Sequence, residues 1–257
     1  MLTTENLARS FGGVFAVNDV TMSVPQGELR GIIGPNGAGK STLFNLISGH
    51  LAPTRGRITY RDKSLAGTAP HRRARDGVAI VFQGARLFHG MTALENVMVG
   101  AHARTDHGFA SAALRLPGHR REERLIAERA REALEQVGMA DFADVSAESL
   151  PLGQQRRLQV ARALCGRPDL LLLDEPASGL RLGERRILAD LLRELHDKGI
   201  TMLLIEHDVG MVMSLADRIT VLDLGKVIAE GTPEAVSRDP RVVSAYLGQE
   251  SSDAASR

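Results

Sequence analysis

Cysteine occurs once, at Cys165, and tryptophan not at all. A single thiol forms no intrachain disulfide, so stability must come from a buried core, for which 257 residues are ample. The lone cysteine fits a reducing compartment and equally well a merely buried thiol. An excess of one charge is missing too: 32 Lys and Arg face 31 Asp and Glu, a net +1, which argues against a chain-wide surface for nucleic acid or anionic lipid. Nowhere do the roughly 20 apolar residues of a membrane-spanning helix run together, and Met1-Leu2-Thr3-Thr4-Glu5 lacks the layout of a secretory signal. The expectation is a soluble chain that meets any membrane through a partner. No internal repeat is visible, so each motif below occurs once.

What is present is a series of short runs rich in Val, Ile and Leu: Leu29 to Ile33, Val78 to Phe82, Leu170 to Leu173, Thr201 to Ile205 and Ile219 to Leu222. Apolar residues at consecutive positions predict strands buried on both faces, as in a parallel sheet covered by helices. Between about 84 and 166 the strand signal vanishes and helical patterns take over, over Arg120 to Leu134 and Gln154 to Leu164, which reads as an inserted helical subdomain. Arg124 and Glu128, and Glu128 and Arg131, are spaced for ion pairs on a solvated helix rather than for nucleic acid. Gly231-Thr232-Pro233 starts a short helical tail, placed at about 232–248, and Ser251 to Arg257 are expected to be disordered.

Two motifs carry chemistry. Gly34-Pro35-Asn36-Gly37-Ala38-Gly39-Lys40-Ser41-Thr42 follows the Leu29 strand and opens a helix running to about Ser48. Its spacing is that of a phosphate-cradling loop, in which Lys40 reaches the β- and γ-phosphates of a nucleotide and the Ser41 hydroxyl meets Mg²⁺. Leu170-Leu171-Leu172-Leu173-Asp174-Glu175 is a buried strand delivering two carboxylates at its C-terminal end, Asp174 for Mg²⁺ and Glu175 as a general base for water. Together these fit many nucleotide hydrolases, GTPases and helicases included.

Specificity comes from the ordered set: Gln83 after the Val78 strand, Leu150-Pro151-Leu152-Gly153-Gln154-Gln155-Arg156-Arg157-Leu158 opening a helix, Ser178-Gly179-Leu180-Arg181 after the acidic pair, and His207 after the Thr201 strand. Over nearly the whole chain this resembles the ABC ATPase family. The resemblance implies an α/β P-loop fold with an N-terminal antiparallel β subdomain and an inserted α-helical subdomain. It implies ATP and Mg²⁺, with Phe11 stacking on adenine and Val17 packing nearby, Asn36 to Thr42 on the phosphates, Ser41, Gln83 and Asp174 at Mg²⁺, and Glu175, His207 and Gln83 at the hydrolytic water. Leu150, Pro151, Leu152, Gly153 and Gln154 would close over ATP held by a dimer partner, through free N–H groups at a helix start. Phe88 and Met91 would line a groove for a permease helix, with Leu87 and Met98 read as core alongside Met211 and Met213.

Pro151 stands where the family usually has serine, and Arg181 where many relatives have Asp or Asn; both lie on the dimer-facing side and suggest two unequal sites. Phe11-Gly12-Gly13, Gly153 to Leu158, Ile205-Glu206-His207-Asp208 and Val243-Ser244-Ala245-Tyr246-Leu247-Gly248 resemble the ATPases of branched-chain amino-acid uptake. That implies a hydrolysing subunit peripheral to the cytoplasmic face of the inner membrane. Its partners would be a second ATPase, integral permeases and, indirectly, a solute-binding protein, with no nucleic acid. A soluble repair or translation ATPase would show two cassettes, coiled-coil arms or zinc motifs; a non-hydrolysing regulator would not need Lys40, Asp174, Glu175 and His207 together.

Overall fold

In a computed structural model, which describes residues 1–84, 87–104 and 117–246, the chain opens with antiparallel strands β1 (Leu2–Phe11) and β2 (Val14–Val24) and then enters β3 (Leu29–Ile33). β4 (Arg55–Tyr60) and the short β5 (Lys63–Ser64) complete an antiparallel sheet of order β2-β1-β4-β5. β6 (Val78–Val81), β7 (Leu170–Asp174), β8 (Thr201–Ile205) and β9 (Arg218–Asp223) join β3 in a parallel sheet. Antiparallel β10 (Lys226–Gly231) closes one edge, giving the order β10-β9-β3-β8-β7-β6.

All of β3 and β8 is buried, as their unbroken apolar sequence predicts. Alternate residues serve opposite faces. Leu170 and Leu172 pack with Ile32, Leu203 and Ile205 against the antiparallel sheet and against α1 (Lys40–Ser48). Leu171 and Leu173 pack with Met202 and Leu204 into the other core. That core receives α3 (Ala93–Met98), α4 (Pro117–Gln136) and α5 (Leu152–Cys165), then α6 (Leu182–Asp197) and α7 (Val209–Leu215). α2 (Pro70–Arg75) precedes β6, and α8 (Pro233–Ser237) follows β10, its start fixed by the Thr232 hydroxyl accepting from the Ala235 N–H.

Some expectations need adjustment. The Val78 strand ends at Val81, and Phe82 leaves the sheet to meet the His50 ring edge-on at 5.1 Å. Among the described residues no ion pair joins Arg124, Glu128 or Arg131; instead Glu132 on α4 reaches Arg167 at 3.1 Å. Both pairs of partners are solvated, and an exposed pair gains too little to fix long side chains. Met211 and Met213 do pack on the core, as do Leu87 and Met98, while Phe88 and Met91 are exposed. The end of the helical tail at Leu247 and Gly248, and the disorder expected from Ser251, lie outside the described residues.

Because β3, β6, β7 and β8 are parallel, their C-terminal ends share one edge. The segments that leave that edge carry Gly34 to Thr42, Gln83, Asp174 to Leu180, and Glu206 to Asp208. α1 is anchored at its far end by Arg73, which is buried on α2 and donates to the carbonyls of Leu46 (2.8 Å) and Ile47 (2.7 Å), and to Leu65 (2.9 Å) and Thr68 (2.9 Å). A cation at a helix C-terminus is favourably placed, and of the four acceptors the Leu65 carbonyl also takes the Thr68 N–H at 3.1 Å. Arg73→Met should therefore lower unfolding free energy by about 2–4 kcal/mol, measured as a lower urea midpoint at unchanged slope, with Arg73→Lys between the two.

Candidate active site

The site starts from backbone that only glycine tolerates. Gly39 has φ +100°, and a Cβ there would lie 2.1 Å from the Ala16 carbonyl oxygen; one on Gly34 would lie 2.0 Å from that of Leu222. The loop between them is thus pressed against β2 and β9 and folds back on itself, with Lys40 at its end. Lys40 is buried, and its ammonium donates to the carbonyls of Gly34 (2.7 Å) and Pro35 (2.9 Å). Burial pulls its pKa below the ordinary lysine range, against the opposing effect of Glu175 and Asp174. A cation held on carbonyls in this way is available to a stronger anionic partner.

Across from Lys40, β7 ends at Asp174 and Glu175 follows it. Glu175 lies in the left-handed region, φ +49°, where a non-glycine residue is strained and must be held. Its N–H donates to the Ile205 carbonyl at 2.9 Å, and its carboxylate is gripped on both oxygens. Gln83 Nε2 donates to Oε2, and His207 Nε2 lies 2.7 Å from Oε1. Gln83 follows β6 and His207 follows β8, so one carboxylate ties together three strand ends.

Asp174 Oδ1 is buried with no hydrogen-bond partner. Burial, followed by the neighbouring Glu175 charge, raises the Asp174 pKa above the ordinary range, offset in part by Lys40 and His207. An orphaned carboxylate oxygen suits a hard cation, and so does the all-oxygen set of Ser41, Asp174 and the Gln83 amide. Among the described residues no group of three or more His, Cys, Asp or Glu forms a protein-only metal cage.

Phe11, Ala16, Asn36 to Thr42, Glu175 and His207 line one cleft of about 410 Å³. Phe11 is half exposed at its rim, with the Arg9 guanidinium 4.7 Å from the ring centre. Val17 is not in the lining: it is wholly buried in the core, and the alternation of β2 turns Ala16 outward instead. Leu150 to Gln154 do not reach this cleft either. Leu150 is buried, Pro151 caps α5 with its carbonyl accepting from the Gln155 N–H at 2.9 Å, and Leu152 is exposed beside Gly179. No side chain caps the first N–H groups of α5, and Leu152 beside them is exposed.

Sequence reasoning passed over the groups that shape the loop after Glu175. Glu206 is buried and its carboxylate accepts from the N–H of Ala177 (2.6 Å) and of His207 (3.3 Å). Arg156, the fifth residue of α5, donates to the carbonyls of Ser178 (3.3 Å) and Gln83 (2.9 Å). Arg185 donates to the Leu180 carbonyl at 3.0 Å and pairs with Asp208 at 3.1 Å. Arg156 and Glu206 stood inside motifs already quoted, but only the signal of a charged residue in an otherwise apolar setting marked them, and that signal needs the fold.

Beside the Gln83 loop a second, more apolar cleft of about 310 Å³ is lined by His50, His71, Ile80, Phe82, Gly100 and Arg162, among others, and Arg162 stacks over the Phe88 ring at 5.6 Å.

With this geometry in place, comparison is informative. The family model described as ABC transporter matches residues 17–178, and that of the branched-chain amino acid ATP-binding cassette transporter matches residues 226–251. The high-affinity branched-chain amino acid transport ATP-binding protein BraF of Pseudomonas aeruginosa is 43% identical over 250 residues, 97% of this chain and 98% of its own length. Among solved structures, the ADP conformation of MJ1267, an ATP-binding cassette of an ABC transporter, superposes with a TM-score of 0.84 at 33% identity, covering 96% of this chain and 98% of that one. The dimeric structure of MJ0796, a bacterial ABC transporter cassette, superposes with a TM-score of 0.76 at 27% identity, covering 91% and 99%.

The strain at Asp174 has a measurable sign. A carboxylate whose folded pKa is raised contributes stability below its unfolded value and loses that contribution as pH rises through the folded one. At neutral pH the ionised group therefore burdens the nucleotide-free fold. Asp174→Asn should raise the melting temperature at pH 7 by about 2–4 °C, the effect of roughly 1 kcal/mol in a domain of this size, and the gain should vanish toward pH 3.5 in a series of thermal melts.

Proposed function

We propose that this chain, which belongs to the ABC transporter family and is an ATP-binding, ATP-hydrolysing subunit of such a transporter, energises the uptake of branched-chain amino acids or a related small polar solute. The observation that carries the cargo class is the likeness at both levels: 43% identity to BraF over nearly the whole chain, and the separate C-terminal match at residues 226–251. The cargo itself would be bound by other subunits.

The chemistry follows from the edge of the parallel sheet. Lys40 exchanges its loop carbonyls for the β- and γ-phosphates of ATP, with Asn36 to Thr42 supplying N–H groups and Phe11 the adenine contact. Ser41, Asp174 and Gln83 would hold Mg²⁺, which when bound would supply positive charge against that developing on the phosphates. Glu175 orients and deprotonates the attacking water, and His207 holds Glu175 and contacts the γ-phosphate. The double grip on the Glu175 carboxylate supports this assignment: a general base must be fixed in place, and strained backbone at φ +49° is otherwise unexplained.

The uncapped start of α5, with Leu152 exposed and no part in the chain's own cleft, supports a shared site, with Leu152, Gly153 and Gln154 closing over ATP on a second ATPase subunit. Pro151 offers no hydroxyl there, so we assign the partner a different sequence and the two sites unequal rates. The apolar cleft beside Gln83, bordered by Phe88, is the docking place for a permease helix. No helix among the described residues is long and apolar enough to cross a membrane; the likeness to transporter ATP-binding subunits supports a peripheral place, which we assign to the cytoplasmic face.

Mild-detergent purification of the tagged chain with ATP should recover two permeases and a second ATPase by mass spectrometry; recovery of no membrane protein would remove the transporter role. Separately, Glu175→Gln should cut turnover by about 10²–10⁴-fold while retaining ATP in a trapped dimer on size-exclusion chromatography. Turnover at the normal rate would take Glu175 out of its assigned part.

A further inference from the structure

The loop after Glu175 is held by two oppositely charged side chains, Glu206 buried and Arg156 partly buried, acting on neighbouring backbone groups. Glu206, just after β8, accepts the Ala177 N–H at 2.6 Å. Arg156, the fifth residue of α5, donates to the Ser178 carbonyl at 3.3 Å and, through its other terminal nitrogen, to the Gln83 carbonyl at 2.9 Å. Arg156 also donates to Gln159 at 3.3 Å on its own helix, which sets the direction of the side chain.

We propose that Arg156, with Glu206, is a positioning residue that clamps the Gln83 loop, the loop after Glu175 and the start of α5 into one arrangement, so that displacement at the permease-facing side reaches the hydrolytic carboxylate and the helix start together. The proposal rests on the roles given above to Glu175 and Gln83.

Three observations carry it. The contacts of Arg156 are to main-chain carbonyls in two different loops, so they act on backbone position and not on any one side chain. Planar, forked donors suit this task, and an ammonium cannot reproduce both bonds at once. Second, Arg156 Nε is buried without a hydrogen-bond partner. Burial weakens the charged guanidinium while the nearby Glu206 charge supports it, and Glu206 is itself disfavoured by burial and supported by the Ala177 and His207 N–H groups. Two charges withdrawn from water to this degree, one with an unpartnered nitrogen, are poor as plain stabilisers. Third, the clamp is continuous with the reacting group: Gln83 is held at its carbonyl by Arg156 and at its amide by Glu175, and His207 at its N–H by Glu206 and at its ring by Glu175. Each neighbour of the carboxylate is thus gripped once from the reacting side and once from the clamp.

The test compares Arg156→Met, Arg156→Lys, Glu206→Gln and Glu175→Gln in steady-state ATP hydrolysis with Mg²⁺ and in amide hydrogen exchange. Arg156→Met should lower kcat by roughly 10–100-fold, the effect of misplacing reacting groups by about an ångström, with KM for ATP within about twofold. Arg156→Lys, able to hold one carbonyl, should recover part of kcat. Exchange at Ala177, Ser178, Gly179 and Gly84 should quicken in Arg156→Met and Glu206→Gln, and the two changes together should do no more than either alone. Unchanged kcat, or a fall in kcat without faster exchange in these loops, would overturn the clamp. If Arg156→Met does not fold, Arg156→Lys and Glu206→Gln carry the same comparison. Normal hydrolysis by Glu175→Gln would instead sink the reading of the site, and the exchange pattern would then judge the clamp by itself.

Discussion

The carboxylate of Glu175 is the point on which the site depends. Its two oxygens are taken by groups that follow two other strands, Gln83 after β6 and His207 after β8, while its backbone sits in the left-handed region at the end of β7. Strain of that kind persists only where several contacts oppose it. Here the opposing contacts come from both flanking strands of a parallel sheet, so the register of β6, β7 and β8 is what sets the carboxylate. Val81 lies opposite Leu173, and Asp174 opposite Ile205, which leaves the three following segments level with one another. A sheet displaced by one residue would turn each inward side chain to the other face and scatter the three groups.

Around that point the charges are poorly served by protein alone. Lys40 is buried on two carbonyls, Asp174 carries an orphaned oxygen, and Glu206 and Arg156 are both disfavoured by burial. Each would fit better with an added partner of opposite sign: phosphate for Lys40, a hard cation for Asp174. Oriented but unsatisfied groups bind such partners without first breaking strong protein contacts, which is the usual form of preorganisation in phosphoryl transfer. The fold sustains the burden through two apolar cores on opposite faces of one sheet, and through anchors such as Arg73 that fix α1 far from the reaction.

Much of this was legible in the sequence, and for definite reasons. The five parallel strands announced themselves because burial on both faces leaves no polar alternation, and the phosphate loop because glycine spacing follows from backbone contacts that admit no Cβ. The antiparallel sheet was not visible in the residue pattern: β1 and β2 mix Thr, Asn, Asp, Arg and Ser with apolar residues, and buried Thr4 meets its hydroxyl requirement on the Val20 carbonyl. Resemblance, not periodicity, pointed to it. Val17 was taken for the ligand side because motif position does not say which face of a strand is outward; Ala16 is. Arg156 and Glu206 were unreadable as partners because residues 50 apart in sequence come to act on neighbouring groups, the Ser178 carbonyl and the Ala177 N–H, only in the folded chain.

The separation of the α5 start from the chain's own phosphate loop gives the arrangement its direction. A subunit with Lys40, Asp174 and Glu175 in place but no group to close over the far side of the γ-phosphate holds nucleotide in an open, wet cleft, where electrostatic help is weakest. In the proposed shared site, closure by a second subunit would bring N–H dipoles and exclude water at once, and hydrolysis would wait on assembly. Arg156 lies near the start of α5, so the element proposed to serve the partner's nucleotide is braced against loops of its own chain, at Gln83 and Ser178. Cooperation between the two sites would then follow from the packing of one helix.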